Sequence, residues 1–371
     1  MIWFYNKYIE SGGHMNIKSK KCIEIANRQG AQAVLVTSTH NKFYLTGFTG
    51  TTSTVLITSK NQYILVDFRY IDQAKNQCYD SVVLLSDDAE HSVMNLLNQI
   101  IADEDIQIIG FEKDQLTVDE FDTYKSMIKV EFLGLNLNEL RLIKSPEEIV
   151  IMQKAADIVD ETIEYIMTVI KPGMTESEVD LLLYNKIRTL GAKSFSFNTI
   201  VASGWRGAMP HGVASDKIIE ENDFVTIDFG AVYNGYCSDL TRTFAMSQKA
   251  DDQLKEIYGI VLKAQTSALQ ACRPGVFTRE IDKIARDIIT AAGYGDYFKH
   301  GTGHGLGVLI HEAPRLNQLS TEVLMEGMVV TVEPGIYIPN LGGVRIEDDV
   351  LITKDGCIRL TKSDKQLKYI R

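Results

Sequence analysis

The chain has 371 residues and a net charge of −11, with 45% apolar and 23% charged residues, the balance of an ordinary water-soluble protein long enough for two domains. No basic block offsets the acidic excess, which argues against a nucleic-acid partner. No apolar run reaches the ~20 residues of a bilayer span, and the first residues lack the order of a signal peptide, so no membrane partner and a cytoplasmic location are expected.

Residues 1–14 sit oddly against the rest of the chain. Ser11-Gly-Gly-His-Met15 reads as a cloning junction ahead of a natural start at Met15, so the leader is set aside. From Met15 to about residue 135, strands expected at Ala33–Thr37, Thr54–Thr58, Tyr63–Asp67, Val82–Leu85, Ile106–Phe111 and Val130–Leu133 alternate with helices at Lys18–Gln29, Ala89–Ile101 and Val118–Met127. This pattern is an α/β domain. Within it, Asn41–Gly50 reads as a glycine-bearing turn between strands. Ser145-Pro-Glu-Glu148 is a capping box with proline at the first helical position, opening an amphipathic helix to about Ile170. The junction is placed between Asn136 and Lys144, giving domains 15–140 and 141–371.

The second domain repeats itself. Lys171-Pro-Gly-Met-Thr-Glu-Ser-Glu-Val-Asp180 is echoed by Arg273-Pro-Gly-Val-Phe-Thr-Arg-Glu-Ile-Asp282, and Thr226-Ile-Asp-Phe-Gly230 by Thr331-Val-Glu-Pro-Gly335. Asp228 thus corresponds to Glu333, and Asp239 to Glu347. Such an offset suits two similar halves packed about a pseudo-twofold, each contributing one acid-bearing hairpin to a shared centre.

In the first of these hairpins, Val225–Phe229 alternates, Asn234-Gly235 is a turn signal, and a second run continues from Asp239 to Phe244. With Tyr233-Asn234 as the loop, Asp228 lies opposite Asp239; with Asn234-Gly235 as the loop, Asp239 faces Gly230. Both registers put the two carboxylates on one face. Four of seven histidines, His211, His300, His304 and His311, fall in this half of the chain, three of them around Gly301-Thr-Gly-His-Gly-Leu-Gly307. Those glycines disfavour a helix and let the backbone approach a ligand.

Charge sets the metal count. Asp228, Asp239, Glu333 and Glu347 bring about four negative charges, which two divalent ions and a bridging hydroxide nearly balance. With one histidine they form a hard, oxygen-rich set suited to Mn²⁺ first, with Co²⁺, Zn²⁺ or Fe²⁺ as alternatives, and such a pair is machinery for hydrolysis.

At these residues the chain resembles the pita-bread metallopeptidases, the group of methionyl aminopeptidase, aminopeptidase P, prolidase and metal-free creatinase. The resemblance covers about residues 140–365 and implies an α+β pita-bread catalytic domain, preceded by an α/β, ribonuclease H-like domain of the creatinase N-terminal type. It implies that Asp239 and Glu347 bridge two metal ions, that Asp228 chelates one, and that His304 and Glu333 complete the other. His211 and His311 match histidines that bind the substrate carbonyl or stabilise the tetrahedral intermediate, Glu333 matches the proton shuttle, and Arg345 a substrate or supporting contact. No family role attaches to His300, read as structural; Arg206 and Trp205 are placed at the pocket or its rim, and Tyr337 in the core, with the pocket wall as its alternative.

Asn41–Gly50 is similar to the N-terminal domain of Xaa-Pro aminopeptidases and prolidases, which both hydrolyse the bond before proline. Thr-Gly-Phe-Thr-Gly-Thr at 46–51 favours the aminopeptidase over the Xaa-Pro dipeptidase. A homodimer acting on proline-containing peptides is expected, and a non-catalytic pita-bread scaffold is the reading from another class.

Overall fold

The structure, a computed structural model, describes residues 15–370, so the leader reading lies outside the described residues. Two compact units divide between Leu140 and Arg141.

The first unit runs α1 (Ile17–Gln29), β1 (Ala33–Val36), α2 (Thr39–Thr46), β2 (Thr54–Ile57), β3 (Gln62–Val66), α3 (Ile71–Gln77), β4 (Val82–Leu85), α4 (Val93–Asp103), β5 (Ile108–Glu112), α5 (Val118–Met127) and β6 (Glu131–Leu135). Its strands form one mixed sheet in the order β4-β3-β2-β1-β5-β6. β1, β2 and β3 are buried at every position, as continuous apolar runs in a covered sheet are. The turn expected at Asn41–Gly50 is corrected here: its first half belongs to helix α2, which ends at Gly47 with φ 76°. The start of α2 is fixed from a distance. Buried Glu112 on β5 accepts from the backbone N–H groups of Thr37 and Ser38 at 2.8 and 2.9 Å, and the Ser38 side chain then caps Asn41 N–H.

The second unit begins with α6 (Pro146–Val169), opened by the expected box of Ser145 and Glu148. α7 (Glu176–Thr189), β7 (Ser194–Phe195), β8 (Ile200–Ser203), β9 (Phe224–Phe229), β10 (Ala231–Tyr233), β11 (Tyr236–Cys237) and β12 (Leu240–Ala245) follow. The order then recurs with α8 (Asp252–Ala271), α9 (Thr278–Ala291), β13 (Gly303–Gly305), β14 (Glu312–Leu316), β15 (Val329–Val332), β16 (Gly335–Ile338), β17 (Gly342–Arg345) and β18 (Asp348–Thr353), and β19 (Gly356–Arg359) closes the edge.

The two halves agree in detail. Each second helix follows a Pro-Gly turn whose glycine is left-handed, Gly173 at φ 94° and Gly275 at φ 85°. Each of those glycines donates its N–H to an equivalent carbonyl, Ile219 O and Leu324 O, at 2.9 Å. Separate apolar cores underlie the halves: Ile158, Leu183, Ile227 and Phe244 are among the first, and Ile257, Ile281, Val330 and Ile346 among the second.

Candidate metal centre

The first hairpin takes the register with Asn234-Gly235 as its loop. Tyr233 pairs with Tyr236 in β10–β11, and Leu240 with Phe229 in β12–β9. Asn234 and Gly235, at φ 46° and 82°, are both left-handed, as a type I′ turn requires. In this register Asp239 stands opposite Gly230, two positions along the same face from Asp228. In the second hairpin, Val332 pairs with Asp348 and Gly335 with Arg345, so Glu333 and Glu347 stand directly across from each other.

His304 enters from β13, which is pressed between β14 and β15. Its neighbours must be glycine: a Cβ on Gly303 would lie 2.0 Å from Thr331 O, and one on Gly305 2.1 Å from Ala313 O. Carboxylate or imidazole donor atoms of Asp239, His304 and Glu347 all lie within 4.8 Å of one another. His304 Nε2 is 3.4 Å from Glu333 Oε1 and 3.7 Å from Asp239 Oδ2. Because His304 Nδ1 lies 3.1 Å from the Gly305 carbonyl, which only accepts, Nδ1 carries the proton and Nε2 turns a lone pair toward the acids.

All five residues line one cavity of about 510 Å³, together with His211, His300, His311, Arg315, Tyr337 and Arg345. The His304 and His311 rings pack edge to face, their centroids 4.4 Å apart. His211 and His311 are exposed to the cavity. Trp205 and Arg206 do not line it; Arg206 pairs with buried Glu176 and donates to Val213 O, fastening the loop that carries His211.

Three carboxylate oxygens, Asp228 Oδ1, Asp239 Oδ1 and Glu347 Oε1, are buried without a hydrogen-bond partner among the described residues. Buried unpaired carboxylate oxygens are costly, and here they converge with a histidine lone pair, so the donor set fits divalent cations. The electrostatics agree. Burial, then Glu347, Asp228, Asp349 and Glu333, raise the Asp239 carboxyl well above the usual range. Burial, then Glu333 and Asp228, do the same to Glu347. Burial pushes Glu333 up to about 8, with Arg345 opposing and Asp228 adding to the rise. His304 is pushed down to about 3 by burial and by His311, so its ring is neutral.

Several supporting residues escape a reading of the sequence. Asp349 Oδ2 accepts from Asp239 N–H at 2.9 Å, and the hydroxyls of Thr241 and Thr331 hold Glu347 Oε2 and Glu333 Oε1 at 2.6 and 3.2 Å. Arg345, expected as a substrate or supporting contact, has its guanidinium engaged by protein groups: Asp228 Oδ2 at 2.7 Å, Tyr337 Oη at 2.8 Å and Thr241 Oγ1 at 3.1 Å. Tyr337, read as core, therefore belongs to the cavity wall, where it also donates to His300 Nε2 at 2.9 Å. Arg315, unremarked in the sequence, pairs with His304 across β13–β14 and is exposed at the cavity. The alternation of β14 would have shown it sharing a face with the site.

Comparison with known proteins agrees with this architecture. Residues 150–354 match the family model "Metallopeptidase family M24", and residues 18–143 the "Creatinase/Prolidase N-terminal domain". The chain belongs to metallopeptidase family M24 and has the pita-bread catalytic domain preceded by the creatinase-type domain. It is 45% identical over 356 residues to "Uncharacterized peptidase YqhT" of Bacillus subtilis (strain 168), covering 95% of this chain and 99% of that one. Among solved structures, the Xaa-Pro dipeptidase from Bacillus anthracis superposes with a TM-score of 0.91 at 46% identity, covering 94% of this chain and 98% of that one. The X-Pro aminopeptidase from Thermotoga maritima MSB8 gives 0.86 at 34%, with the same coverage.

Proposed function

We propose that this metallopeptidase hydrolyses the bond before proline in Xaa-Pro dipeptides, with two divalent ions, Mn²⁺ first, held by Asp228, Asp239, His304, Glu333 and Glu347. The oxygen-rich donor set and its unpaired buried oxygens support the metal assignment. Ions bound there would supply Lewis acidity toward the substrate carbonyl and lower the pKa of water.

The chain's own residues do the rest. Glu333, partly exposed at the cavity, takes a proton from the attacking water and gives it to the proline nitrogen, which has no N–H of its own. His211 and His311, on the open side of the cavity, can donate to the carbonyl oxygen as charge develops there, worth about 3 kcal/mol for one such donor. Arg345 neutralises Asp228 and holds it in place.

Arg315 carries the choice of dipeptide. It is an exposed guanidinium at the cavity without a hydrogen bond or ion pair to its side chain among the described residues. A dipeptide presents a free carboxylate one residue beyond the cleaved bond, within reach of a cation beside His304; a longer peptide has none there. The aminopeptidase reading rests on Thr46–Thr51, and the similar proteins carry names of both kinds.

The test compares Ala-Pro with Ala-Pro-Ala on Mn²⁺-loaded protein. The dipeptide should be cleaved and the tripeptide spared, and Arg315→Ala should raise KM for Ala-Pro roughly tenfold. Release of alanine and Pro-Ala at a comparable rate would reinstate the aminopeptidase. Inertness toward both, unchanged by chelation and reloading, would leave the scaffold.

A further inference from the structure

The metal cavity continues into a side pocket of about 460 Å³, with Phe197, Asn198 and Val213 lining both. Helix α7 supplies Asp180 and Tyr184 to its wall, and β7 supplies Phe195. The Tyr184 and Phe195 rings meet edge to face with centroids 5.5 Å apart. No lysine or arginine lines the pocket. Asp180 is half-buried there, with no ion-pair partner among the described residues. Burial pushes the Asp180 carboxyl up, opposed by a hydrogen bond with the Thr199 side chain. A partly desolvated acid in a pocket with aromatic walls suits a cation with an apolar stem.

Substrate polarity says which group arrives. The free carboxylate of a dipeptide is drawn to Arg315, which does not line the side pocket. The amino end then lies toward the acids of the first hairpin. Asp228 pairs with Ile200 across β9–β8, and the two residues before Ile200, Asn198 and Thr199, belong to the side pocket. A first-residue side chain directed away from Arg315 would enter the side pocket past Asn198 and Thr199.

We propose that this pocket is the subsite for the side chain of the substrate's first residue and that Asp180 selects a cationic one, lysine or arginine. The assignment rests on the Xaa-Pro reading above. Asp180 is a specificity-determining residue remote from the reacting atoms, and Tyr184 and Phe195 pack along the methylene stem.

The experiment compares Lys-Pro with Met-Pro, of similar length but neutral, on Mn²⁺-loaded wild type, Asp180→Asn and Tyr184→Leu. In the wild type kcat/KM should favour Lys-Pro by roughly fivefold. Asp180→Asn should bring that ratio close to one with Met-Pro turnover retained, and Tyr184→Leu should lower it by about half as much on a logarithmic scale. A wild-type ratio near one, or one unchanged in Asp180→Asn, overturns the assignment. Calorimetric titration of free lysine and methionine into the same proteins reads the pocket without turnover. If neither dipeptide is cleaved the Xaa-Pro reading fails, and the subsite stands only if lysine binds the wild type more tightly than methionine and Asp180→Asn removes the difference.

Discussion

Glu333 stands at the edge of the acid cluster with 18% of its side chain exposed, where water and a leaving nitrogen can reach it. Glu333→Gln keeps the shape of the side chain and removes the transferable proton. We expect kcat for the dipeptide to fall about 10³-fold, with the thermal midpoint within a few degrees of wild type; activity within tenfold of wild type would remove Glu333 from proton transfer. At this scale the four proposed acid ligands were legible because they lie on or between the paired strands of two hairpins that repeat in the sequence, and His304 because glycines flank it. Asp349, Thr241 and Arg315 were not. Asp349 meets Asp239 from 110 residues away, a pairing that local spacing does not encode, and Arg315 declares itself only once β13 has been paired with β14.

The elements show the same division. The hairpin of Asp228 and Asp239 followed from alternation and an Asn-Gly turn, and the repeat located its counterpart. Helix α2 was missed because its start depends on Glu112, more than seventy residues on, and α3 because no side chain caps it at Tyr70. Two glycines of the catalytic unit separate local from positional demands. Gly235→Ala places a side chain at a left-handed turn position and should lower stability by about 1 kcal/mol with kcat/KM unchanged. Gly303→Ala instead sets a Cβ against the Thr331 carbonyl, so β13 must move and take His304 with it. Activity should then fall at least tenfold and metal affinity with it. Equal effects of the two on activity would show that His304 tolerates the displacement.

For the whole molecule, the acid cluster ties stability to pH and to metal. Asp239, Glu347 and Asp349 have carboxyls raised well above the usual range, and Glu333 is raised to about 8. A carboxyl raised on folding binds its proton more tightly in the native state. Its stabilising effect is complete below the unfolded pKa of about 4 and is lost as pH rises through the folded value. Chelated protein should therefore lose thermal stability steadily between about pH 5 and about pH 8, whereas Mn²⁺-loaded protein should hold its midpoint, so the gap widens with pH. Parallel melting curves with EDTA and with Mn²⁺ would show that the cluster does not bind the ion.

The division of the ligands between two halves also has a consequence in time. Asp239 leaves the ribosome 108 residues before Glu347, an interval of about 5–20 s at ordinary rates of synthesis. Throughout it the first hairpin carries two acids whose partners do not yet exist, and they stay hydrated rather than buried. The proposed ligand set is thereby complete only once both hairpins have been made.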